Sequence, residues 1–523
     1  MPEHLRALVV ILVLAVTVFK LAERPLTATA ISLRDYRRRR NLWFAITLIA
    51  FFSHNFWVYL AVAGAVIFHF GRRDRNPFAL YCMLIFAVPP FGAPLPTLGV
   101  VNYLFDINHL QLLNLTLLLP AAWRLARAPR APTTVGRVTD WMIGSYFVLI
   151  VALTANADGL SATVVMRTAV VTGLDILLCY YVASRSLASR EALRETLATF
   201  VVSGVLMAAM AMFEFVRGWL LYSSLDESMG LSWAFGSYMM RGAESLRAMG
   251  STGHSIILGY VMAVCGGLLI YLRVLVPQVG LWRLAAMAVG GALACSLSRG
   301  PWVGAAAGLL LGVGIGPGAS RRVMKFMIIG TLIGGVMLMT PLGPKILKYH
   351  PFVGDIDDST ISYRQELFRV SLLVIRQNPW FGTFDALSNP LMEQLRQGEG
   401  IIDTVNSYIV VALSYGIVGL TLFSGAFLTA GWSVWRLHRR FGRKDDPEAE
   451  HLARALLAVL AAIMITIATA SPISAIPPVY WSMIGVAVAY ARWRAATVAD
   501  AVPLGTRFAN RVPRPGYRMR TAR

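Results

Sequence analysis

Charged residues are scarce in this chain. Only 14% of its 523 residues are Asp, Glu, Lys or Arg, whereas 57% are hydrophobic. Acids are the scarcer sign, because 27 Asp and Glu stand against 48 Lys and Arg, and the formal net charge is +21. Soluble domains carry about 25% charged residues. The deficit therefore excludes an ordinary soluble domain.

Cysteine is also rare. The four cysteines, Cys82, Cys179, Cys265 and Cys295, all fall inside apolar runs and show no metal-ligand spacing. This pattern indicates neither a disulfide framework nor a metal centre. We predict no metal and no cofactor.

The sequence contains long apolar runs. Residues 8–19, 198–213 and 324–339 are of the length that a bilayer-spanning helix needs. The signal is continuous apolar runs and not ten-residue alternation, which excludes a β-barrel. The sequence predicts an all-α polytopic membrane protein with about 12 to 15 transmembrane helices. They are expected near 5–22, 41–70, 77–91, 108–125, 138–156, 162–183, 195–217, 254–273, 281–297, 301–317, 322–341, 404–435, 454–470 and 477–492.

The positive charge is concentrated in short segments between the apolar runs. Such clusters mark the cytoplasmic side of a membrane protein, so the charge is a topology signal and not a nucleic-acid signal. Anionic membrane lipids are expected partners of these arginines, and nucleic acid is not. The clusters lie at 37–40, 72–75, 124–130, 185–190, 321–325, 436–444 and 492–523.

Three regions are predicted from this pattern. Residues 1–40 form an anchor helix and a basic cytoplasmic loop, 41–495 form the membrane domain, and 496–523 form a basic, disordered cytoplasmic tail. Residues 41–70 are long for one span and short for two, and Ser53-His54-Asn55 interrupts them. A single span stays open, but arginines on both flanks favour a broken helix or hairpin. With such a hairpin, both chain termini are expected in the cytoplasm.

Two large segments fall on the opposite, periplasmic side. They are 218–253 and 342–403, and the second contains many acids and an amphipathic helix near 361–377. Long loops without regular structure are uncommon unless they are functional. Any chemistry is therefore expected on the periplasmic side.

Arg299 is the one ionised residue between Leu284 and Pro317. A charge at the bilayer centre costs roughly 2.5–3.5 kcal/mol. Arg299 therefore either reaches the membrane–water interface or has a functional role. Further arginines are predicted on the same side, where the charge bias disfavours them. Such guanidinium groups suit an anionic substrate, because each presents a planar fork matched to phosphate oxygens. The set is Arg241, Arg247, Arg299, Arg364 and Arg369.

Several motifs around these arginines resemble the O-antigen ligase / O-antigen polymerase superfamily. Ser298-Arg299-Gly300-Pro301-Trp302 is similar to its Ser-Arg-Gly-x-aromatic motif, and Ser251-Thr252-Gly253-His254-Ser255 to its Gly-Thr-x-x-His/Asn element. Arg364 followed by Asn378-Pro379-Trp380-Phe381-Gly382 is similar to the segment in its large periplasmic loop. Asp403 to Ile409 and Ser414 to Leu420 resemble its closing element. The resemblance covers roughly residues 40–490.

The resemblance implies a metal-independent, inverting glycosyl transfer at the periplasmic face of the bacterial inner membrane. The donor would be an oligosaccharide on undecaprenyl pyrophosphate, and the acceptor another lipid-linked repeat or the lipid A core. Arg299 and Arg364 are then expected to bind the pyrophosphate and stabilise its developing charge. Arg241, Arg247, Arg369, Asn406 and Tyr408 are further expected substrate-binding residues. Chain-length regulators and export proteins are expected partners.

One position departs from the family pattern. Ligases carry a histidine just before Asn406, where this chain has Val405. His254, Glu366 and Asp403 are therefore the candidate activators of the acceptor hydroxyl. For His254 and Asp403, a helix-capping role stays open as the alternative. The departure favours an exopolysaccharide or O-antigen polymerase over a ligase that acts on lipid A core or protein.

Two alternatives of other classes remain. A polysaccharide transporter or lipid-linked-oligosaccharide flippase would show internal repeats and ionisable groups at mid-bilayer. No repeat is evident, and the ionisable residues are predicted at helix ends, with Glu214 the main exception. The second alternative is a structural subunit of an export machine, which the large arginine-bearing loop disfavours.

Overall fold

A computed structural model describes residues 2–96, 103–129, 133–157, 159–231, 240–241, 245–315, 318–339, 358–396, 402–440 and 446–501. Residues 502–523 of the predicted tail and residues 342–357 of the predicted loop lie outside these residues. Residues 496–501, predicted as part of the disordered tail, instead continue the last helix. The side chain of Arg241 also lies outside what is described.

Helices dominate the described residues. Seven of them are long and apolar enough to cross a membrane, namely Glu3–Thr27, Arg137–Ala155, Ala162–Ser186, Arg190–Arg217, Ser255–Leu275, Ser407–Arg440 and Pro447–Ile467. Two shorter apolar helices, Phe56–Gly71 and Val279–Cys295, accompany them. The chain is therefore an all-α, multi-pass membrane protein, as the apolar runs predicted.

The helices follow one another in this order: α1 Glu3–Thr27, α2 Leu33–Phe52, α3 Phe56–Gly71, α4 Pro77–Leu84, α5 His109–Leu113, α6 Leu119–Arg127, α7 Arg137–Ala155, α8 Ala162–Thr172, α9 Cys179–Ser186, α10 Arg190–Arg217, α11 Leu225–Ser228, α12 Ser255–Leu275, α13 Val279–Cys295, α14 Arg299–Gly314, α15 Ala319–Met339, α16 Asp358–Gln377, α17 Pro390–Glu393, α18 Ser407–Arg440, α19 Pro447–Ile467 and α20 Ile476–Ala501. Short π-helical segments, Asn114–Leu118 and Gly173–Leu178, join α5 to α6 and α8 to α9.

Strands are confined to two short antiparallel hairpins in the described residues. Strand β1 (Gly92–Pro96) pairs with β2 (Tyr103–Asn108), with Gly92 opposite Asn108. Strand β3 (Met240–Arg241) pairs with β4 (Ser245–Leu246), with Arg241 opposite Ser245. The second hairpin lies within the predicted loop 218–253.

The helix bundle has two chemically different ends. At one end, which we call the arginine end, ion pairs join neighbouring helices. Arg194 and Arg190 bind Glu448 and Asp446, and Arg492 binds Asp140 at 2.6 Å. The opposite end carries the long connections, and we call it the loop end. Trp219 at the C-terminal side of α10 donates to Glu3 at 2.8 Å, which places the start of α1 at the loop end.

The segment 41–70 is a broken helix that turns back on itself. Helix α2 ends at Phe52, α3 begins at Phe56, and Asn55 caps α3 by accepting from the backbone N–H of Trp57 at 2.9 Å. The two far ends of this hairpin meet, because Arg38 donates to the carbonyl of Arg73. The predicted hairpin, with the flanking arginines on one side, is therefore present.

A buried ion pair closes that hairpin. Arg39 is fully buried and binds Asp74 through two nitrogens, at 2.7 and 3.0 Å, and Glu195 at 2.9 Å. Removing one partner of such a pair costs about 3–5 kcal/mol, because a charge is left uncompensated. The cluster 37–40, predicted to lie in a loop, is instead helical: Ser32 caps α2 by accepting from Asp35 at 3.1 Å.

The two chain termini do not lie on the same side, contrary to expectation. Helix α1 runs from Glu3 at the loop end to Glu23, which pairs with Arg40 at 3.1 Å at the arginine end. Helix α20 carries Arg492, which contacts Asp140 at the arginine end. Because α1 adds one crossing before the hairpin, the described start of the chain lies opposite its described end.

Glycines let α14 pack tightly against α19. A Cβ at Gly304 would lie 2.2 Å from Oγ1 of Thr466, and one at Gly308 would lie 2.5 Å from the carbonyl oxygen of Ala458. Small residues allow such close approach between membrane helices. This contact fixes the position of the helix whose first residue is Arg299.

Candidate functional site

Arg299 begins α14 at the loop end and is half-buried there. The preceding Leu297 has a φ of 46°, an uncommon conformation for a non-glycine residue that turns the chain sharply between α13 and α14. The next residue, Gly300, lies against α19, since a Cβ there would meet Oγ1 of Thr469 at 1.8 Å. Only glycine permits this contact. The motif Ser298-Arg299-Gly300 therefore determines the position of the Arg299 side chain at the start of α14.

Arg247 reaches the same turn from the loop before α12. Its Nη2 donates to Oγ of Ser298 at 3.0 Å, and its Nε donates to the carbonyl of Ser296 at 3.5 Å. Ser298 is itself buried and donates to that same carbonyl at 3.0 Å. A second arginine therefore lies beside Arg299, held through the serine of the motif.

Glu214 anchors the loop that carries Arg247. This carboxylate is fully buried and accepts backbone N–H bonds from Leu221 at 3.0 Å, Met249 at 2.9 Å and Gly250 at 2.7 Å. Gly250 has a φ of 54°, which suits glycine. The end of α10 thus binds the loop at two points, and both lie close in sequence to Arg247.

His254 follows in the same loop and caps α12. Its Nδ1 accepts the backbone N–H of Ile256 at 3.1 Å. Burial, together with the positive charge of Arg247, lowers the pKa of His254 to about 4, so the ring is neutral near pH 7. A neutral imidazole that accepts at Nδ1 carries its proton on Nε2. His254 is therefore a hydrogen-bond donor at Nε2 in this geometry, and the helix-cap interpretation of it is the observed one.

Arg364 comes from α16, in the predicted large loop. It is exposed, and its charge lies close enough to Arg299 for the two guanidinium groups to repel one another. The neighbouring Tyr363 donates its hydroxyl to the carbonyl of Asp403 at 3.0 Å. This bond ties the start of α16 to the segment before α18. The loop therefore brings a third arginine to the same place.

Asp403 is held by its own loop and by the α19–α20 connection. Its Oδ1 accepts from the backbone N–H of Val405 at 3.2 Å and from Oγ of Ser471 at 3.2 Å. Ser471 lies two residues beyond Thr469, which contacts Gly300 beside Arg299. Asp403 is thereby positioned at the loop end, near the helix start that carries Arg299.

Val405 occupies strained backbone. Its φ is 37°, a left-handed conformation in which a β-branched residue is an outlier. Histidine and asparagine adopt this conformation more readily. The backbone at this position therefore has the conformation that the ligase histidine would suit, although the side chain here is valine.

Asn406 and Tyr408 have structural contacts. Oδ1 of Asn406 caps α18 by accepting from Tyr408 at 2.9 Å and Ile409 at 3.2 Å. The hydroxyl of Tyr408 donates to the carbonyl of Met464 at 3.0 Å. These contacts cap α18 and orient it against α19. Both residues therefore have structural roles beside the site.

Glu366 and Arg369 point away from this cluster. They pair with each other at 2.5 Å one helical turn apart, and the Arg369 side chain is 64% exposed. The buried face of α16 carries Leu367, Val370 and Val374. Arg364 lies beside that face and Glu366 beyond it, so one helix separates these predicted site residues.

The remaining motif residues join the loop to α18. Gly416 has a φ of 62° and a ψ of −164° inside α18, which opens the helix there. The carbonyls of Pro379 and Trp380 bind at this break, because they accept the backbone N–H groups of Ile417 at 2.8 Å and Val418 at 3.1 Å. The two glycine-containing motifs therefore form one joint that positions α16, and Arg364 with it.

The sequence understated Glu214 and missed Tyr363 and Ser471. An acid at the end of an apolar helix was a usable signal for Glu214, whereas nothing in the sequence marked the other two. Among the described residues, no group of three or more metal-ligating side chains is found.

Comparisons with known proteins point to the same region. The family model described as O-Antigen ligase matches residues 284–424. A search of curated proteins found no match. The matched stretch contains Arg299, Arg364 and Asp403 and ends within α18. The match supports a relation of this membrane protein to the O-antigen ligase / polymerase superfamily.

Proposed function

We propose that this protein transfers a glycan from a polyprenyl pyrophosphate carrier to a sugar hydroxyl, and that it polymerises exopolysaccharide or O-antigen repeat units. The observation that carries the proposal is the convergence of Arg247, Arg299 and Arg364 beside Asp403 at the loop end. We further propose that the loop end faces the periplasm of a bacterial inner membrane, since the arginine end then follows the positive-inside rule.

The arginines would bind the leaving group. In the proposed step, an acceptor oxygen attacks the anomeric carbon, the bond from that carbon to the pyrophosphate oxygen breaks, and lipid pyrophosphate leaves. Negative charge develops on the pyrophosphate, and preorganised guanidinium groups stabilise it. Burial and, to a smaller extent, the nearby charge of Arg364 disfavour the charged form of Arg299, and a bound dianion would stabilise that charge. This favours anion binding over an interfacial role for Arg299.

Asp403 is the group that we assign to the acceptor proton. A general base must be an acceptor near the reacting hydroxyl. His254 is a donor at Nε2 in this geometry, and Glu366 is engaged by Arg369 on the far face of α16. Asp403 lies at the loop end, where Tyr363 of α16 binds its carbonyl, and its carboxylate is held by Ser471 and Val405. His254 would then donate a hydrogen bond to the substrate instead.

A ligase is the second candidate function. The family description favours it, as does the left-handed backbone at residue 405. Valine at that residue favours the polymerase, because it cannot accept a proton. The two functions differ in the product that accumulates when the protein fails.

The test is complementation of a deletion strain with Arg299→Ala and Arg364→Ala. Surface and secreted polysaccharide is sized, and the lipid-linked pool is analysed after membrane levels are matched. We expect loss of long polymer with single lipid-linked repeats accumulating. The matched control is Arg369→Ala on the same helix, which is expected to restore wild-type polymer.

Two outcomes would change the conclusion. Full-length polymer left on the lipid carrier would support the ligase in place of the polymerase. Wild-type polysaccharide from both arginine variants would show that these residues are interfacial only, and the proposed mechanism would be wrong.

A further inference from the structure

Large apolar side chains face outward on α16 and on the joint that connects it to α18. Phe368 and Leu372 lie one turn apart on α16, and Trp380, Phe381 and Phe384 follow in the joint. Trp380 is 64% exposed and Phe381 is 53% exposed. Large apolar side chains that face outward mark contact with lipid or with another protein. We call these five residues the apolar loop face.

Backbone hydrogen bonds hold the joint beside the interior of α18 and not above its start. The helix begins at Ser407. The N–H of Thr383 donates to the carbonyl of Leu413 at 2.8 Å, and the N–H of Val418 donates to the carbonyl of Trp380 at 3.1 Å. Trp380 is therefore held beside a residue that lies well inside the helix.

The position of Val418 along α18 matches the boundary of a bilayer core. Residues 404–435 contain no charged residue, and Arg436 is the first cation after them. Val418 precedes Arg436 by 18 residues, which is about 27 Å at 1.5 Å per residue. A hydrocarbon core is about 30 Å thick. With Arg436 at the headgroups of one leaflet, Val418 and the bonded Trp380 lie near the boundary of the other.

The outward stripe of α18 continues into the apolar loop face. Ile417, Leu428 and Trp432 are exposed, and their spacings of 11 and 4 residues keep them on one side of the helix. Trp432 lies near the arginine end of this stripe and Trp380 at its loop end. Tryptophan is enriched at both membrane–water interfaces. The two tryptophans therefore lie at the two levels that lipid contact favours.

We propose that the apolar loop face inserts into the bilayer leaflet at the loop end, with Trp380 and Phe381 at the boundary between headgroups and hydrocarbon. Interfacial segments bury their apolar face about 5–10 Å into that boundary and keep their polar face in water. The exposed pair of Glu366 and Arg369 belongs to the polar face of α16. A water-soluble partner would meet Trp380 only above the membrane, whereas its bond to Val418 holds it at membrane depth, so lipid is the favoured occupant.

Insertion would anchor α16 at the membrane surface. The same helix carries Arg364, so this arginine would be held at the level of the lipid headgroups. The proposed lipid-linked donor carries its pyrophosphate at that level. The inference does not rest on glycan transfer, because it follows from the position of the joint along α18.

The test uses the full-length protein in liposomes, with a nitroxide spin label at Trp380→Cys or, separately, at Phe381→Cys. Spin-label relaxation measures collisions with oxygen, which concentrates in hydrocarbon, and with a water-soluble nickel chelate. The ratio of oxygen to nickel collisions should be at least about fivefold higher at both positions than at Arg369→Cys, because only the apolar face lies in the leaflet. The wild-type chain, labelled in the same way, gives the background of the native cysteines.

Arg369→Cys is the matched control, since Arg369 lies on the polar face of α16. Thermal unfolding checks that each variant is folded, and the Trp380 substitution keeps the backbone bond to Val418. Nickel collisions at Trp380→Cys and Phe381→Cys as frequent as at Arg369→Cys would place the face in water and overturn the proposal. Few collisions with either reagent would show that protein covers the face, which would overturn it too. Neither result depends on whether the protein transfers a glycan.

Discussion

Glu214 illustrates how one buried carboxylate can organise a site that it does not touch. Its two oxygens accept three backbone N–H groups from two separate segments. Buried charges are costly unless they are hydrogen-bonded, and these three bonds meet that need. The same bonds fix the loop whose Arg247 contacts Ser298 beside Arg299. We therefore regard Glu214 as a positioning residue.

Glu214→Gln should weaken this anchor while keeping the side-chain shape. The amide NH2 would face backbone donors, so at least one bond is lost at a cost of about 1.5–3 kcal/mol. Misplacement of Arg247 should also lower polymer formation about tenfold or more. Thermal unfolding and polymer sizing measure the two effects. The exposed Glu227→Gln is the control, and a Glu214→Gln protein with wild-type stability would contradict the role.

The sequence and the structure reveal different things about residue 405. The sequence showed only that the ligase histidine is missing. The structure shows a valine at φ 37° whose N–H donates to Asp403. A strained residue persists only where its surroundings determine its conformation. The loop around Asp403 is therefore held by its contacts and not by the preference of its own residues.

At the scale of elements, the joint between α16 and α18 depends on glycine. Gly416 needs positive φ, and a Cβ there would lie 2.3 Å from the carbonyl carbon of Trp380. Gly382, with φ 68°, would meet the carbonyl oxygen of Leu413 at 2.4 Å. Neither clash involves a flexible side-chain end that could move away. The motif glycines are thus explained by backbone contact between the two elements.

Gly416→Ala should destabilise the protein by at least about 2 kcal/mol, because strain at positive φ adds to a backbone clash. Gly431→Ala, on the same helix, is the control, since its Cβ would meet nothing nearer than 3.7 Å. In a helix this second change is expected to be neutral or to stabilise by up to about 1 kcal/mol. Thermal unfolding in detergent compares them. Similar melting of both variants would disprove the joint.

Helix boundaries show why the element count from sequence was only approximate. The apolar run at 41–70 was recognised as interrupted because Ser53-His54-Asn55 is polar, and Asn55 indeed caps the next helix. The sequence also listed more spans than the seven that are both long and apolar among the described residues. Several predicted spans are shorter helices or are divided by π-helical segments. Such breaks depend on packing between helices, which periodicity does not contain.

At the scale of the whole molecule, ion pairs are concentrated at one end and the candidate site at the other. The arginine end is tied together by Asp446, Glu448 and Asp140. The described part of the loop end brings Arg247, Arg299 and Arg364 together near Asp403. Like charges that lie close together favour the binding of an anionic ligand. This asymmetry is the structural basis for assigning opposite sides of the membrane to the two ends.

Thiol labelling should show that asymmetry directly. Cells whose outer membrane is permeabilised are treated with a membrane-impermeant maleimide. The introduced thiols of Glu227→Cys and Glu3→Cys should be labelled, and that of Arg439→Cys should not. The wild-type chain gives the background, since three of its four cysteines are buried. Labelling of Arg439→Cys without Glu227→Cys would invert the proposed orientation.

The sequence by itself determined the class of fold and the candidate arginines. Apolar runs of bilayer length require helices in lipid, because every backbone polar group must be satisfied within its own segment. Motif spacing marked Arg299 and Arg364, although they are 65 residues apart. Only the tertiary structure decided that Arg247 joins them, that His254 is a donor, and that Glu366 faces away. Those facts depend on contacts between distant segments and on one helix's rotation, and local patterning encodes neither.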